Sequence, residues 1–254
     1  MSVTRIHKEI RTFLTALTFY TRIPWPQSVT YSHDLQGPSI VYFPLVGWIV
    51  GIAAALIFQL SLLWFPVSVA VGLSMAGTIL LTGALHEDGF ADCCDGFGAG
   101  WEKEQILSIM KDSSIGTYGV LGLIAVLGLK FLVLVEIDPQ QLVLTMIAGH
   151  SISRFLAVLL LYTHDYIGIQ QGSKAKNFIK PLSGKELCLT GIFGCLPLLW
   201  IHPVYLVFLL ILLAAQQLLG RTFRQKIGGY TGDCLGATQQ VTEILFYMLF
   251  LAVV

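Results

Sequence analysis

The chain has 254 residues, of which 55% are hydrophobic and only 12% are charged, and its mean hydropathy is +0.75. A soluble domain is about 45–50% apolar and about 25% charged, so this composition predicts an integral membrane protein, taken here as one all-α domain over residues 1–254. The zero net charge and the lack of a basic stripe exclude nucleic acid as a partner, and five cysteines without CxxC spacing argue against a secreted disulfide framework.

An amphipathic helix is predicted at the N-terminus, over residues 5–23. Its apolar residues recur at helical spacing opposite basic positions: Phe13, Leu14, Leu17 and Tyr20. This pattern is typical of an interfacial helix that lies on the inner leaflet of a membrane. A soluble helix that caps the bundle is the alternative. The helix should end in TRIPWP (21–26), because two prolines cannot continue it.

Apolar runs long enough to cross a bilayer follow this helix, since a span needs about 20 apolar residues. Seven are predicted: 38–60, 66–85, 114–135, 141–161, 188–201, 204–219 and 240–254. The fifth and sixth are short and separated only by His202-Pro203, so this stretch could be two spans, a re-entrant pair or a single span. The predicted fold is therefore a polytopic transmembrane helix bundle of about seven spans.

Basic residues predict the orientation, because cytoplasmic loops hold an excess of lysine and arginine. Thirteen of the fifteen lie in the N-terminal segment or in loops on one side of the predicted bundle. The N-terminus and the long loops should then face the cytoplasm, in the bacterial inner membrane. Homo-oligomer formation is possible and stays open.

A concentrated acidic stretch leaves the cytoplasmic end of the second predicted span: HEDGFADCCDGF (86–97). Continued as a helix, it places Asp88, Asp92 and Asp95 at i, i+4 and i+7 on one face. Carboxylates on one face repel unless a cation lies among them, and hard oxygen ligands suit Mg²⁺ or Mn²⁺. The alternative is that the acids only end a span in water. Such an end would not need the flanking glycines, which let a backbone or substrate come close.

A second glycine-flanked block precedes the last span: GGYTGDCLGATQQVTE (228–243). Asp233, and with it Glu243, could face the first block across the bundle, although the block alone also reads as a glycine-rich turn entering a helix. Thr231 adds a hydroxyl. Nearby cations could bind substrate phosphates. They are Arg221, Arg224, Lys226 and the KAKNFIK run (174–180). The alternative is that these basic residues only set the topology of the chain in the membrane.

Four blocks in order resemble the signature blocks of the cobalamin synthase family: FLTALTFYTRIPWP (13–26), HEDGFADCCDGFGAG (86–100), DSSIGTYGV (112–120) and GGYTGDCLGATQQVTE (228–243). The resemblance covers essentially the whole chain. It implies a Mg²⁺-dependent inner-membrane enzyme that joins adenosylcobinamide-GDP to α-ribazole phosphate, or α-ribazole, and releases GMP. The matching positions for the metal are Glu87, Asp88, Asp92, Asp95 and Asp233.

The reaction also needs a group that accepts the proton of the attacking hydroxyl. A metal-bound carboxylate is a poor base, so the base should be the aspartate least engaged with metal. Asp95 is our choice for this role, ahead of Asp92. His86 is the other candidate, although a histidine at the end of a span is more often a polar anchor.

Three other interpretations remain open. The DG-x-A-D-x-x-D order also resembles the aspartate-rich site of CDP-alcohol phosphotransferases, but Asp92 stands where their arginine would be. A metal-ion transporter would want ionisable groups at mid-membrane, and the candidates here, Arg154 and Lys130, are cations. A zinc site could use a histidine and three cysteines, which are His86, Cys93, Cys94 and Cys234.

Overall fold

The protein is described by a computed structural model over residues 3–26, 33–167 and 182–254. Eleven α-helices are found in these ranges, and no strand. They are Val3–Tyr20 (α1), Gln36–Ser39 (α2), Phe43–Ser61 (α3), Val67–Thr82 (α4), Leu85–Ala99 (α5), Lys103–Met110 (α6), Thr117–Glu136 (α7), Pro139–Thr163 (α8), Gly184–Ile201 (α9), Phe208–Ile227 (α10) and Gly232–Leu251 (α11). The predicted all-α class is thus confirmed for the described part of the chain.

Six helical stretches of the described residues are long and apolar enough to cross a membrane, and a bent pair, α4 with α5, could supply a seventh span. The six are Gln36–Ser61, Thr117–Glu136, Pro139–Thr163, Gly184–Ile201, Pro203–Ile227 and Gly232–Leu251. A multi-pass membrane bundle is confirmed. The uncertain stretch around His202-Pro203 forms two separate helices, α9 and α10, joined by a short 3-10 turn at Pro203–Val207.

The helix α8 lies at the centre and packs against α3, α9 and α11. Its contact with α3 depends on two glycines four residues apart. A Cβ atom at Gly47 would lie 2.4 Å from the carbonyl oxygen of His150, and one at Gly51 would lie 2.6 Å from the Cα of Ile147. Small residues at this spacing let two membrane helices approach backbone to backbone.

The second span differs from its prediction. Instead of one continuous helix running into the acidic stretch, α4 ends at Thr82 and α5 begins at Leu85, with an 89° bend between them. Gly83 and Ala84 both have positive φ, at 67° and 57°. A Cβ atom at Gly83 would lie 2.2 Å from the Nε of Arg22, and the Arg22 backbone N–H donates to the Leu81 carbonyl at 2.7 Å. The segment after α1 therefore packs against this bend and leaves no room for a side chain at residue 83.

The N-terminal helix α1 packs against α3, with Ala16 buried beside Val46 and Val50. Ile6, Ile10 and Phe19 stay exposed on it. It therefore packs against α3 while keeping an exposed apolar edge, and its position on the inner leaflet stays a prediction.

Candidate active site

The two glycine-flanked blocks meet where α5 crosses α11. A Cβ atom at Gly89 would lie 2.9 Å from the Cα of Asp233, and one at Gly236 would lie 3.1 Å from the carbonyl oxygen of His86. Only residues without side chains allow this approach. The expectation that the two blocks face each other is confirmed, and α11 begins eight residues before the predicted last span, so that Asp233 lies in its first turn.

Three carboxylates gather at this crossing, and we call them the outer acid cluster: Asp88, Asp92 and Asp233. Asp88 is exposed, while Asp92 and Asp233 are partly buried. Asp92 lies within electrostatic range of the other two, and Asp233 within range of Asp88. None of them forms an ion pair with a basic residue of the described ranges. Their mutual repulsion is therefore uncompensated by this part of the chain.

The outer acid cluster is open. Within residues 3–26, 33–167 and 182–254, no three histidine, cysteine or carboxylate side chains converge closely enough to hold an ion by themselves. This finding also opposes the zinc interpretation. Cys93 lies beside Cys234, whereas Cys94 faces α7, where a Cβ atom at Gly122 would lie 2.6 Å from its Sγ.

Asp95 turns away from the cluster and caps the start of α7. Its two carboxylate oxygens accept hydrogen bonds from the backbone N–H groups of Gly116, at 2.7 Å, and Gly119, at 2.8 Å. Both donors belong to the block DSSIGTYGV, so Asp95 holds that block against α5. Both oxygens of Asp95 are thus engaged with the start of α7, and its roles as metal ligand and as base stay predictions.

The first two residues of the acidic block point inward. Glu87 is 8% exposed, and its Oε1 accepts a hydrogen bond from Gln240 Nε2 at 3.1 Å. His86 is 5% exposed, and its ring centroid lies 5.4 Å from that of Phe43. In the described part of the chain, Glu87 Oε2 and His86 Nε2 have no hydrogen-bond partner. The structure thus separates Glu87 from the outer acid cluster with which the resemblance grouped it.

The sequence analysis missed a buried polar group deeper in the bundle. Lys130 Nζ lies 2.5 Å from Glu243 Oε1, and both side chains are at most 6% exposed. His150 Nδ1 lies 3.4 Å from Glu243 Oε2, and Tyr247 donates its hydroxyl to Oε1 at 3.2 Å. Glu243 therefore belongs here and not with Asp233. The available signal was the lysine and the glutamate standing within otherwise apolar spans.

Thr231 forms the N-cap of α11. Its hydroxyl accepts from the backbone N–H of Cys234 at 3.4 Å and lies 3.2 Å from Asp233 Oδ2, to which it can donate. The preceding turn is held by the end of α8, since the Tyr230 N–H donates to the Asp165 carbonyl and the Ile167 N–H donates to Tyr230, both at 2.9 Å. The cap and the turn together orient the Asp233 carboxylate.

Basic residues surround this turn. Arg221, Arg224 and Lys226 are exposed on the last part of α10. Burial lowers the pKa of His164, at the end of α8, and the neighbouring Arg224 guanidinium lowers it further, which places Arg224 beside that end. A Cβ atom at Gly228 would lie 3.2 Å from the Nζ of Lys103, a cation that the sequence analysis did not select for this site. The KAKNFIK run (174–180) lies outside the described residues.

Comparisons with known proteins identify the family of the chain. The model of the family described as cobalamin-5-phosphate synthase matches residues 12–251. A Shewanella frigidimarina protein named adenosylcobinamide-GDP ribazoletransferase is 42% identical over 250 residues, covering 97% of this chain and 96% of its own. Proteins of the same name from Shewanella oneidensis and Ralstonia pickettii are both 44% identical, over 97% and 91% of this chain and 96% and 91% of theirs. No solved structure matches the chain.

Proposed function

This chain belongs to the cobalamin-5-phosphate synthase family, and we propose that it transfers the adenosylcobinamide phosphoryl group from adenosylcobinamide-GDP to α-ribazole 5'-phosphate or α-ribazole, releasing GMP. The transfer belongs to the last steps of adenosylcobalamin synthesis. The observation that carries the proposal is the outer acid cluster, in which two blocks bring together three carboxylates that have no ion-pair partner among the described residues.

The donor set of the cluster fits Mg²⁺. Asp88, Asp92 and Asp233 present hard carboxylate oxygens, and the described residues offer them no cationic partner. Mg²⁺ in enzymes is commonly bound through one or two carboxylates, with substrate phosphates completing its shell, which agrees with an open cluster. When bound, the ion would neutralise charge on the pyrophosphate of the substrate.

Residues of the chain would bind and orient the substrates around this cluster. Arg224 and Lys103, beside the turn before α11, are suited to hold phosphate oxygens, with Arg221 and Lys226 farther out on the exposed face of α10. Thr231 orients Asp233 through its hydroxyl. The glycines at the crossing keep the helices close enough for both to reach one substrate.

A side chain must also take the proton of the attacking hydroxyl. Asp95 has both oxygens engaged with α7, and His86 is buried against Phe43. Asp92 is partly exposed beside Asp88, on the open side of α5. A metal-bound carboxylate is a poor base, so we assign the metal to Asp88 and Asp233 and the proton acceptor to Asp92.

We further propose that the active site faces the cytoplasm and that the chain resides in the bacterial inner membrane. The support is the one-sided distribution of lysine and arginine in the sequence. The family match removes the metal-ion transporter alternative. The family match removes the CDP-alcohol phosphotransferase alternative in the same way.

The test is direct. Detergent-solubilised protein is incubated with adenosylcobinamide-GDP, α-ribazole 5'-phosphate and Mg²⁺, and GMP and the corrinoid product are measured by chromatography. We expect one GMP per corrinoid product with the native chain, and loss of both when Mg²⁺ is chelated. Failure of the native, folded chain to release GMP would overturn the proposed activity, and full turnover in the presence of a chelator would overturn the metal.

A further inference from the structure

A continuous set of buried hydrogen bonds joins the centre of the bundle to the acidic block of α5. Gln239 Nε2 donates to Glu243, and Gln239 Oε1 accepts from Gln240 Nε2 at 3.0 Å. Gln240 Nε2 also lies 3.1 Å from Glu87 Oε1. Since Lys130 is bound to Glu243, the path leads from α7 through α11 to α5 and ends one residue before Asp88.

A second cation lies beside this path. Arg154, in the middle of α8, is 1% exposed and donates from Nη1 to the His150 carbonyl at 2.8 Å. Its guanidinium forms no direct ion pair with a carboxylate of the described ranges, and the charges of Glu243 and Glu87 act on it from a greater distance. No hydrogen-bond partner for Arg154 Nε is found in the described ranges, and Glu87 Oε2 is likewise unpartnered.

With the neighbouring His150 counted as neutral, the charges of this group sum to zero only if Glu87 is included. Lys130 and Arg154 are the cations, and Glu243 lies against Lys130 at 2.5 Å. Glu87 is the remaining carboxylate within range of Arg154. A buried guanidinium without a counter-ion is strongly unfavourable, particularly inside a membrane bundle.

We propose that Glu87 is a positioning residue and not a metal ligand: it is the counter-ion of Arg154 in a buried network with Lys130 and Glu243, and through that network it holds α5 in register against α11. This register sets the separation of Asp88 and Asp92 from Asp233. The inference rests on the metal site of the proposed function, to which it adds a supporting group. Partners that orient metal ligands typically contribute about 10–100-fold in metal affinity.

The test uses the charge balance itself. Lys130 is bound to Glu243 and not to Glu87, so a substitution at Lys130 can compensate one at Glu87 only through the shared network. The variants are Glu87→Gln, Lys130→Met and the double variant, each purified as the full chain in detergent. Mn²⁺ alone serves as the probe, titrated by electron paramagnetic resonance, and the thermal unfolding midpoint is measured in parallel.

We expect Glu87→Gln to weaken Mn²⁺ binding by about 10–100-fold and to lower the unfolding midpoint, because it leaves one unbalanced buried cation. Adding Lys130→Met should restore most of both losses, since Arg154 and Glu243 then balance each other. Glu87→Gln combined with Lys111→Met, which removes an exposed cation outside the network, is the matched control and should restore neither.

Weakened Mn²⁺ binding that persists in the stable double variant would overturn the inference and make Glu87 a ligand. Unchanged binding in Glu87→Gln would overturn it as well. If Glu87→Gln alone does not fold, the double variant should still fold and bind Mn²⁺, and its failure to fold would be contrary to the inference. Asp88→Asn separates the two proposals: if it leaves Mn²⁺ binding intact, the metal site of the proposed function is wrong, whatever Glu87 does.

Discussion

Two groups of charged residues meet on α5 and α11 in opposite settings, and the inner group also includes one cation each from α7 and α8. The outer acid cluster of Asp88, Asp92 and Asp233 is open and has no cationic partner in the described ranges. The inner network of Glu87, Glu243, Lys130 and Arg154 is buried, and its charges cancel. Unpaired carboxylates at an open crossing are suited to bind a cation and its substrate, whereas cancelled charges in an apolar bundle hold helices in place.

The largest effect should come from the outer acid cluster. Asp88→Asn and Asp92→Asn should each lower the rate of GMP release by about 10²-fold or more, because the first loses a charge that binds Mg²⁺ and the second loses the proton acceptor. Thermal unfolding should be nearly unchanged, since removing a repelling surface charge costs little. Glu102→Gln, at an exposed acid away from the cluster, is the control. Near-normal turnover in both variants would contradict the functional role of this cluster.

Substitutions in the inner network should lower the stability of the protein, whereas those in the outer acid cluster should lower its rate. Lys130→Met or Glu243→Leu alone should destabilise the protein by about 3–5 kcal/mol, because each leaves a buried charge without its partner. The double variant should recover most of that loss. Unfolding in detergent, followed by circular dichroism, gives the three free energies. If the single and double variants are equally destabilised, the pair does not act as a unit.

Asp95 belongs to neither group. It lies in the acidic block of α5, but its carboxylate accepts hydrogen bonds from the start of α7. Asp95→Asn should cost about 1.5–3 kcal/mol of stability, because the amide nitrogen cannot accept one of the two backbone N–H groups. Any rate defect should then be independent of pH. A defect that shrinks as the pH rises would show that Asp95 is a general base after all, because the hydroxyl nucleophile ionises at high pH.

The smallest effects should come from Asp233 and from Thr231, and they test whether Asp233 belongs to the metal site. Asp233→Asn should raise the Mg²⁺ concentration for half-maximal activity by about tenfold, because the amide still offers one oxygen ligand. Thr231→Ala should raise it less, since it removes only the hydroxyl that orients Asp233. Steady-state rates over a Mg²⁺ titration measure both. An unchanged Mg²⁺ requirement in Asp233→Asn would exclude Asp233 from the metal site.

Much of the site was predictable because it lies in short blocks whose residue types are unusual for a membrane protein. The acids of 86–97 and the glycines around Asp233 stand out from apolar surroundings, and we expected the two blocks to face each other. The inner network was not expected, because Lys130, Arg154 and Glu243 are far apart in the chain. Each appears in the sequence as a single charged residue within an apolar span. Their pairing depends on how α7, α8 and α11 pack.

Composition and the length of the apolar runs determined that this chain is a multi-pass helical membrane protein, because a bilayer core dictates both. The ordered blocks determined its family. Tertiary structure alone decided which way each acid faces. Adjacent helical residues point about 100° apart, so Glu87 enters the bundle while Asp88 leaves it. The break at Gly83 and Ala84 then sets the direction of α5. The Arg22 side chain packs against this break, and no pattern in the sequence specifies the resulting direction.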